Sequence, residues 1–425
     1  MEDISIKKKT ETLFNLLLIT IFWNLWFPKA GIKLGGIPLT LGNVIFAITF
    51  VIWCAKVIKE GKIKKIPLGG LILLGIAYFF LKYFYIILVK NVTITSVIGY
   101  IIPLCIYPLI FFIVYDLVDT KEKMDKIIRT IIYGFFFLCI YAILQYIFKI
   151  ETVAIPGLTV NLTDYQELGP LWYMTKANGT DVNNAKIVGT YQNGNLFGIS
   201  LILIYPIVYY FYRHTNQPKK QLISLFLFVI TTFLTLSRSC WLGIILFIFL
   251  GVLMENNKTK KSLALKIMTI LLCVLSFIIV FQLFPVVSSR FFGTSNWLSM
   301  SGRTEGLIEV FNSLKYSNSI LAYIIGPYGI IQFSGLAYEM LPLAVFVQTG
   351  IIGLLLLYSV FFVFLKLSKN ENYISKATHL AIIIWLIVGL IEGGYWLPPA
   401  ALNIFMILGL GLKANRLNYK RGVSL

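Results

Sequence analysis

Long, continuously apolar runs alternate with polar segments along most of the chain. The hydrocarbon core of a bilayer is about 30 Å thick, and an α-helix of about 20 apolar residues crosses it. Strands of a membrane barrel would instead alternate apolar and polar positions. The pattern therefore predicts an all-α, polytopic membrane helical bundle, with residues 1–425 forming a single membrane domain. The twelve predicted spans are residues 12–28, 39–57, 68–89, 95–115, 127–148, 193–212, 221–237, 239–254, 263–284, 341–365, 377–391 and 397–412.

Two connections between the predicted spans are much longer than the others, at residues 149–192 and 285–340. Long loops in a compact assembly are uncommon and are often functional. A shorter segment, residues 32–41 with the sequence IKLGGIPLTL, predicts a small β-hairpin whose turn contains Gly35 and Gly36. We therefore expect chemistry on the side of the membrane that carries these segments.

The second long loop contains a helical pattern of its own. Apolar residues recur there at the spacing of one helix face. They are Leu307, Val310, Phe311 and Leu314. This spacing predicts an amphipathic helix from about Arg303 to Leu314, lying flat at the membrane surface.

The composition favours a lipid environment over an aqueous one. The chain is 58% hydrophobic and 13% charged, with a mean hydropathy of +0.83. Soluble domains are about 45–50% apolar and about 25% charged. The five cysteines lie in or beside apolar runs, without a CxxC motif or a Cys/His cluster. They are therefore expected to be small apolar helix residues rather than disulfides or metal ligands.

A net charge of +19 would suggest a nucleic-acid partner if the chain were soluble. Most Lys and Arg residues, however, fall in every second connection, beginning with Lys7, Lys8 and Lys9 near the amino terminus. Cytoplasmic loops of membrane proteins carry this excess of positive charge. The distribution predicts a multi-pass protein of the bacterial cytoplasmic membrane, with both termini in the cytoplasm and both long loops outside. It leaves no charge pattern that calls for nucleic acid.

Arg238 interrupts an apolar stretch, TLSRSCWLG, where two predicted spans meet at the outer membrane level. An arginine near hydrocarbon is costly and usually faces a partner or a water-filled cavity. The planar guanidinium is well suited to bind phosphate. Arg238 is therefore a candidate anion-binding residue, with a side chain that merely snorkels to the interface as the alternative.

Arg290 and Arg303 lie in the second long loop, on the side where positive charge is scarce. Arg303 is near the start of the predicted amphipathic helix, where unpaired N–H groups and the helix dipole favour an anion. Together with Arg238, these arginines suit the diphosphate of a lipid-linked substrate. Pairing with Glu305 and Glu309, or ordinary surface charge, is the alternative interpretation.

Glu339 lies three residues before Pro342, just outside the next predicted span. Its carboxylate is a candidate general base toward a sugar hydroxyl. The same carboxylate could instead serve only as a helix cap, because the positive end of a helix dipole favours an anion.

The segment Gly189–Gly198, GTYQNGNLFG, precedes the sixth predicted span. The dipeptide NG in this segment indicates a turn, and Asn195 is predicted to cap the helix that follows. A purely structural role is the alternative to binding sugar hydroxyls. The candidate substrate-binding side chains are Tyr191, Gln192, Asn193 and Asn195. The sequence has no P-loop, dinucleotide motif or metal-ligand spacing, so a metal-independent mechanism without a cofactor is expected.

Four segments, in this order, resemble the O-antigen ligase and Wzy-type polysaccharide polymerase family. They are IKLGGIPLTL after the first span, GTYQNGNLFG, TLSRSCWLG, and SGRTEGLIEVF followed by LAYEMLPLAVFVQTGIIG. The resemblance covers most of the chain and is firmest over residues 189–355.

The resemblance implies a membrane glycosyltransferase that uses a glycan on undecaprenyl diphosphate and transfers it to an acceptor hydroxyl at the outer face. Arg238 and Arg303 match family positions implicated in binding the diphosphate or the glycan. Membrane lipid, a flippase and a chain-length regulator are the implied partners. The products would be O-antigen, capsule or exopolysaccharide of the cell envelope.

One position departs from the family pattern. Ligase-type members tend to carry a His-Asn pair where this chain has Glu339 and Met340. This departure favours a polymerase over a ligase. A lipid-linked oligosaccharide flippase is the alternative from a different class, although transporters usually place ionisable residues at mid-membrane, where Lys82 is the main exception in this chain.

Overall fold

The computed structural model describes residues 2–35, 37–61, 66–90, 93–172, 186–253, 301–317, 319–327, 340–368, 372–393 and 399–417, with separate positions between 267 and 282. Within this part of the chain the protein is predominantly helical, as the apolar pattern predicts.

The helices of the first half are α1 (Glu2–Trp26), α2 (Leu41–Glu60), α3 (Gly69–Lys90), α4 (Ile94–Ile101), α5 (Leu109–Leu117), α6 (Lys121–Phe148), α7 (Ile150–Val153) and α8 (Leu162–Leu168). Those of the second half are α9 (Gly194–His214), α10 (Pro218–Leu234), α11 (Arg238–Leu246), α12 (Ser301–Ser317), α13 (Ile320–Ile325), α14 (Leu341–Leu367), α15 (Tyr373–Gly389) and α16 (Ala400–Arg416). A 3₁₀ turn covers Gly169–Leu171, and π-helical turns cover Ile102–Ile106 and Phe247–Leu253.

Six helical segments in the described residues are long and apolar enough to cross a membrane. They are Leu41–Glu60, Gly69–Val89, Val97–Leu117, Lys121–Phe148, Gly194–His214 and Leu341–Leu367. Two shorter apolar helices, Arg238–Gly251 and Tyr373–Gly389, run beside them. This architecture is compatible with a membrane helical bundle, and the count of twelve spans stays a prediction.

Helix α9 is the centre of the bundle. It packs against α6, α10, α11, α15 and α16, and nearly all of its residues are buried. Its central Tyr205 stacks on Phe228 of α10, with ring centroids 4.0 Å apart. Helix α2 shows the opposite character, because most of its apolar residues are exposed. An apolar surface of this kind is suited to lipid contact.

The predicted hairpin is confirmed. Strands β1 (Gly31–Leu34) and β2 (Ile37–Thr40) pair antiparallel, with Leu34 opposite Ile37 and Gly35 in the turn at φ +57°. Hydrogen bonds from its backbone tie the hairpin to the first long loop: the Gly31 N–H donates to the Gly157 carbonyl (3.0 Å) and the Lys33 N–H to the Thr163 hydroxyl (2.9 Å). We call the end of the bundle that carries this hairpin the hairpin end.

A helix, α12, covers the residues of the predicted amphipathic helix, and its apolar residues divide between two environments. Val310 and Leu314 are buried against Ala322 of α13 and Val347 of α14. Phe311 is 58% exposed. Helix α12 therefore packs on the bundle through two of its apolar residues instead of resting only on a membrane surface.

Helix α14 is broken at Gly350, where φ is +67° and ψ is −169°. The end of α13 fits into the break, because a Cβ atom on Gly326 would lie 2.7 Å from the Thr349 nitrogen. The Tyr78 hydroxyl of α3 donates to the Thr349 carbonyl at 2.7 Å. Irregular backbone at membrane depth requires such partners, because lipid supplies none.

We expect Gly350→Ala to destabilise the protein. A Cβ at this position would overlap the Ile324 carbonyl, and the positive φ disfavours any L side chain, for a cost of about 1–3 kcal/mol. The measurement is the thermal unfolding midpoint of the purified protein in lipid nanodiscs. Gly70→Ala is the matched control, since a Cβ there meets nothing within 4 Å and should leave the midpoint unchanged. Equal midpoints for both variants would contradict the tight packing at the break.

Candidate functional site

The segment Gly189–Gly198 is held at the hairpin end by a buried glutamine. Gln145, near the end of α6, donates through Nε2 to the Gly189 carbonyl (2.9 Å) and accepts from the Gly189 N–H (2.8 Å). Gly189 has φ +57°, and a Cβ there would lie 2.9 Å from the Phe197 ring. The first glycine of the motif is therefore required by both backbone conformation and packing.

Asn193 caps helix α9, because its Oδ1 accepts from the Leu196 N–H at 2.9 Å. The prediction that Asn195 is the cap is wrong. Which asparagine caps the helix depends on where the backbone changes from extended to helical, and Asn193 is the last extended residue, with φ −154° and ψ 167°. Asn195, two residues further and still in the first turn of α9, bonds to Lys186 and Glu392 instead.

The first turn of α9 lies directly against the turn between α10 and α11. A Cβ on Gly194 would sit 2.7 Å from the Thr235 carbonyl oxygen, and one on Gly198 would sit 3.0 Å from the Cys240 Cβ. No side chain fits at either glycine without movement. The two motifs that stood apart in the sequence, GTYQNGNLFG and TLSRSCWLG, thus form one packed unit.

The turn before α11 has an uncommon backbone conformation. Leu236 has φ +52°, in the left-handed region that L residues seldom adopt. Such conformations cost of order 1–3 kcal/mol and cluster at functional sites. This conformation directs the chain from α10 into α11, so that Arg238 becomes the first residue of α11.

Arg238 is half-buried and stands where helix energetics disfavour a cation. The amino-terminal end of a helix carries partial positive charge, so an arginine in the first turn gains nothing from the dipole. The N-cap residue, Ser237, makes no capping hydrogen bond with its side chain. Both features suit an anion, which would be attracted by the guanidinium and by the helix end together.

Glu392 joins this turn from the end of α15. Its Oε2 accepts from the Ser239 hydroxyl at 3.0 Å and from Asn195 Nδ2 at 3.4 Å. Lys186 Nζ donates to Asn195 Oδ1 at 3.2 Å, and the Ser237 and Ser239 hydroxyls are 2.9 Å apart. We call Lys186, Asn195, Ser237, Ser239 and Glu392 the Glu392 cluster. Its carboxylate bonds to Ser239, the residue that follows Arg238, and its ammonium group bonds to Asn195, the other partner of that carboxylate.

The structure brings some of the predicted site residues together. Asn195 bonds to Glu392, whose other partner, Ser239, directly follows Arg238 in the chain, and Tyr191, Gln192 and Asn193 directly precede α9. Arg303 lies in the first turn of α12. Arg290 and Glu339 lie outside the residues that the structure describes.

Sequence reasoning missed Glu392, Lys186 and Ser239. Glu392 carried the clearest signal, because it directly follows the apolar run 377–391, on the side predicted to be outside. An ionisable residue at the end of a membrane span is by default a candidate functional residue. Its partners could not be found from the sequence, since Ser239 is 153 positions away.

Tyr191 is fully buried, and its hydroxyl donates to the Leu25 carbonyl at 2.8 Å. Burial raises the pKa of this hydroxyl well above its usual range, so it remains a donor at physiological pH. Next to it, the Thr190 hydroxyl donates to the Trp26 carbonyl at 2.6 Å. Both residues hold the last carbonyls of α1, which gives Tyr191 a structural role at this end of the bundle.

A cavity of about 580 Å³ opens at the same end. The hairpin and α8 form one wall through Lys33, Pro38 and Asp164, whereas Tyr191 and Gln192 connect it to the entry of α9. Lys33 and Asp164 form an ion pair across this wall. The volume is within the range of small-molecule sites, about 300–1,000 Å³.

The arrangement can bind an anion and move a proton. A guanidinium at a helix amino terminus stabilises negative charge on a departing group, and a carboxylate held by two hydrogen-bond donors is a candidate proton acceptor. Among the described residues, no group of three or more His, Cys, Asp or Glu side chains is placed to hold a metal ion.

Comparison of the chain with protein-family models finds no match, and no curated protein matches it.

We call the two hydrogen bonds between the Gln145 side chain and the Gly189 backbone the Gln145 clamp, and Gln145→Leu tests it. We expect a lower thermal unfolding midpoint, because the variant leaves the buried N–H and carbonyl of Gly189 without partners, at about 1–3 kcal/mol for each group. Gln166→Leu, at an exposed position of α8, should leave the midpoint in place. The clamp would be of no energetic consequence if Gln145→Leu unfolded at the wild-type temperature.

Proposed function

We propose that the protein is a membrane glycosyltransferase that joins glycans carried on a polyprenyl diphosphate. The observation that supports this most is the Glu392 cluster, where a carboxylate bonds to Ser239 beside Arg238 at the hairpin end. The resemblance of the surrounding segments to polysaccharide polymerases points the same way. The donor would be a glycan on undecaprenyl diphosphate, and the acceptor a sugar hydroxyl of a lipid-linked repeat unit.

In the proposed reaction the acceptor hydroxyl attacks the anomeric carbon of the donor sugar. A new C–O bond forms, and the bond from the anomeric carbon to the diphosphate oxygen breaks with its electron pair on the diphosphate. The hydroxyl proton passes to the carboxylate of Glu392. Arg238 and the amino-terminal end of α11 stabilise the charge on the departing diphosphate, the kind of electrostatic contribution that is usually largest.

Glu339 is the second candidate for the base, because it lies two residues before the start of α14 in the sequence. We favour Glu392 over Glu339 because two donors, Ser239 and Asn195, orient the Glu392 carboxylate next to the turn that leads into Arg238. Comparison of Glu392→Gln with Glu339→Gln distinguishes the two carboxylates.

We place the hairpin end at the outer face of the bacterial cytoplasmic membrane. The distribution of Lys and Arg along the sequence supports this orientation. A substrate with a polyprenyl tail would then enter from the lipid, with its diphosphate at the level of Arg238. Partners in this setting would be a flippase that delivers the lipid-linked repeat and a protein that controls chain length.

A polymerase and a ligase differ in the acceptor, and glycan profiling of a deletion strain separates them. Single repeats that still reach their destination without long chains indicate a polymerase. Long chains that accumulate on the lipid carrier indicate a ligase. The polymerase is the form we propose, because this chain has Glu339 and Met340 where ligases tend to have a His-Asn pair.

Transport of a lipid-linked oligosaccharide is the second candidate function. The break in α14 at Gly350 and the buried Lys82 in α3 favour it, because transporters use discontinuous helices and buried ionisable groups. The end of α13 fills this break, however, and Tyr78 bonds to the Thr349 carbonyl in it. A deletion that stops delivery of single repeats to the outer face, with long-chain synthesis otherwise intact, would support transport.

We expect Arg238→Ala to lower the amount of long glycan chains about 100-fold or more in a complemented deletion strain, the effect typical of removing one charge-stabilising donor. Arg238→Lys should fall between this variant and the wild type, since lysine keeps the charge but lacks the bidentate fork. The measurement is gel profiling of the glycans at matched protein levels. Arg129→Ala, at an exposed position in α6, is the control.

Glu392→Gln tests the proton acceptor in the same assay. The glutamine can still accept from Ser239 but cannot take the proton, so we expect a loss of about 100-fold or more. Glu167→Gln, on the exposed side of α8, should keep full activity. Full activity of both Arg238→Ala and Glu392→Gln would remove the basis of the proposed site.

A further inference from the structure

The cavity at the hairpin end is a separate feature from the Glu392 cluster, although the two share the entry of α9. Its volume is about 580 Å³, and its lining includes residues of α4 and of the hairpin. We propose that this cavity binds an acidic saccharide, as the acceptor site of the transferase. The role of the bound saccharide as the acceptor rests on the proposed function. Saccharide binding itself is supported by the chemistry of the cavity.

The hairpin wall of the cavity is rigidly built. The N–H of Leu41, which directly follows β2, donates to the Ala30 carbonyl at 2.8 Å, and the Gly31 N–H at the start of β1 donates to the Gly157 carbonyl at 3.0 Å. The Lys33 side chain pairs with Asp164 of α8. Because these bonds anchor the hairpin at its base and along β1, the cavity is formed before any ligand arrives, which lowers the cost of binding.

Two asparagines on the inner side of the cavity offer complementary hydrogen-bonding groups. Both amide hydrogens of Asn24 are used by backbone carbonyls, those of Thr20 (2.9 Å) and Gly42 (3.1 Å), so its Oδ1 is left as an acceptor. Asn43 accepts from the Tyr107 hydroxyl through Oδ1 at 2.9 Å, which leaves its NH₂ group as a donor. A sugar hydroxyl satisfies both groups, because it donates and accepts. A phosphate without a proton cannot satisfy Asn24.

The lining of the cavity also has an apolar part. Ile98 and Ile102 line it from the α4 region, and Pro399 lines it from the start of α16. Apolar walls with a few placed polar groups are typical of small-molecule sites. Here they suit the C–H faces of sugar rings.

The charge of the lining favours an anionic substituent on the sugar. Among the described residues, two ammonium groups and one carboxylate line the cavity, those of Lys29, Lys33 and Asp164, for a formal charge of +1. Lys29 is only 8% exposed, and its ammonium lies 4.2 Å from the centre of the Trp172 ring. Because the Lys29 ammonium is buried, little bulk water competes with a ligand carboxylate for it, and their attraction is screened less.

The test is saccharide binding to the purified chain in phosphatidylcholine nanodiscs, measured by saturation-transfer NMR. The probes are the neutral disaccharide cellobiose and its uronic-acid counterpart, cellobiouronic acid. We expect the acidic disaccharide to bind at least ~10-fold more tightly, the effect of one favourable charge–charge contact of about 1.4 kcal/mol. No binding of either probe would overturn the proposal.

A bulky side chain in the cavity gives the sharpest variant. A Cβ on Gly99 meets nothing within 4 Å, so Gly99→Trp should fill the cavity without disturbing the helix around it. We expect loss of disaccharide binding with an unchanged unfolding midpoint. Gly70→Trp is the matched control, since Gly70 has equal space and does not line the cavity. Binding that survives Gly99→Trp would contradict the assignment.

Lys29 tests the charge preference. Lys29→Gln should reduce the preference for the acidic disaccharide to near 1-fold, and Lys29→Arg should restore it. Displacement of both disaccharides by inorganic pyrophosphate would instead assign the cavity to the diphosphate of the donor and overturn the acceptor role.

The same measurements separate this inference from the proposed function. Arg238→Ala should bind the disaccharides like the wild type, because Arg238 does not line the cavity. If Arg238→Ala and Glu392→Gln keep full glycan synthesis while Gly99→Trp abolishes binding, the saccharide site stands and the proposed catalytic site fails. If Gly99→Trp leaves binding and synthesis intact while Arg238→Ala abolishes synthesis, the reverse holds.

Discussion

The contact between the first turn of α9 and the turn before α11 constrains the rest of the hairpin end. Gly194 and Gly198 allow it, since the Thr235 carbonyl and Cys240 occupy the space that side chains at these positions would need. Helix α9 is also the element around which α6, α10, α11, α15 and α16 pack. The position of α9 therefore fixes, through direct packing, where the turn before Arg238 lies and where α15 ends, three residues before Glu392.

Local stability is given up at this contact, and other interactions offset the loss. The positive φ of Leu236 and the arginine in the first turn of α11 both act against helix formation at that point. The Gln145 clamp, the Asn193 cap and the bonds from Thr190 and Tyr191 to α1 hold the facing segment in place. Rigid support around a costly arrangement is the physical requirement for a preorganised site.

A second feature of the fold is consistent with a membrane environment. A helix break in hydrocarbon exposes backbone groups that lipid cannot satisfy. Helix α14 has such a break at Gly350, and two other elements resolve it: the end of α13 packs into the gap, and Tyr78 of α3 donates to the Thr349 carbonyl. The second long loop is thereby attached to the bundle through α13, and α12 follows it through Val310 and Leu314.

The features that depend on neighbours along the chain could be predicted from the sequence. Apolar runs predicted a helical membrane architecture, IKLGGIPLTL predicted the hairpin, and the apolar spacing after Arg303 predicted α12. The sequence also drew attention to Arg238, because an isolated charge in an apolar stretch is visible without a structure. Three features became visible only in three dimensions: Asn193 rather than Asn195 caps α9, Glu392 bonds to Ser239 next to Arg238, and the hairpin lines a cavity. Periodicity along the chain shows which face of an element avoids water. A site depends instead on backbone angles and on contacts between residues as far apart in the chain as Ser239 and Glu392. No local pattern encodes such contacts.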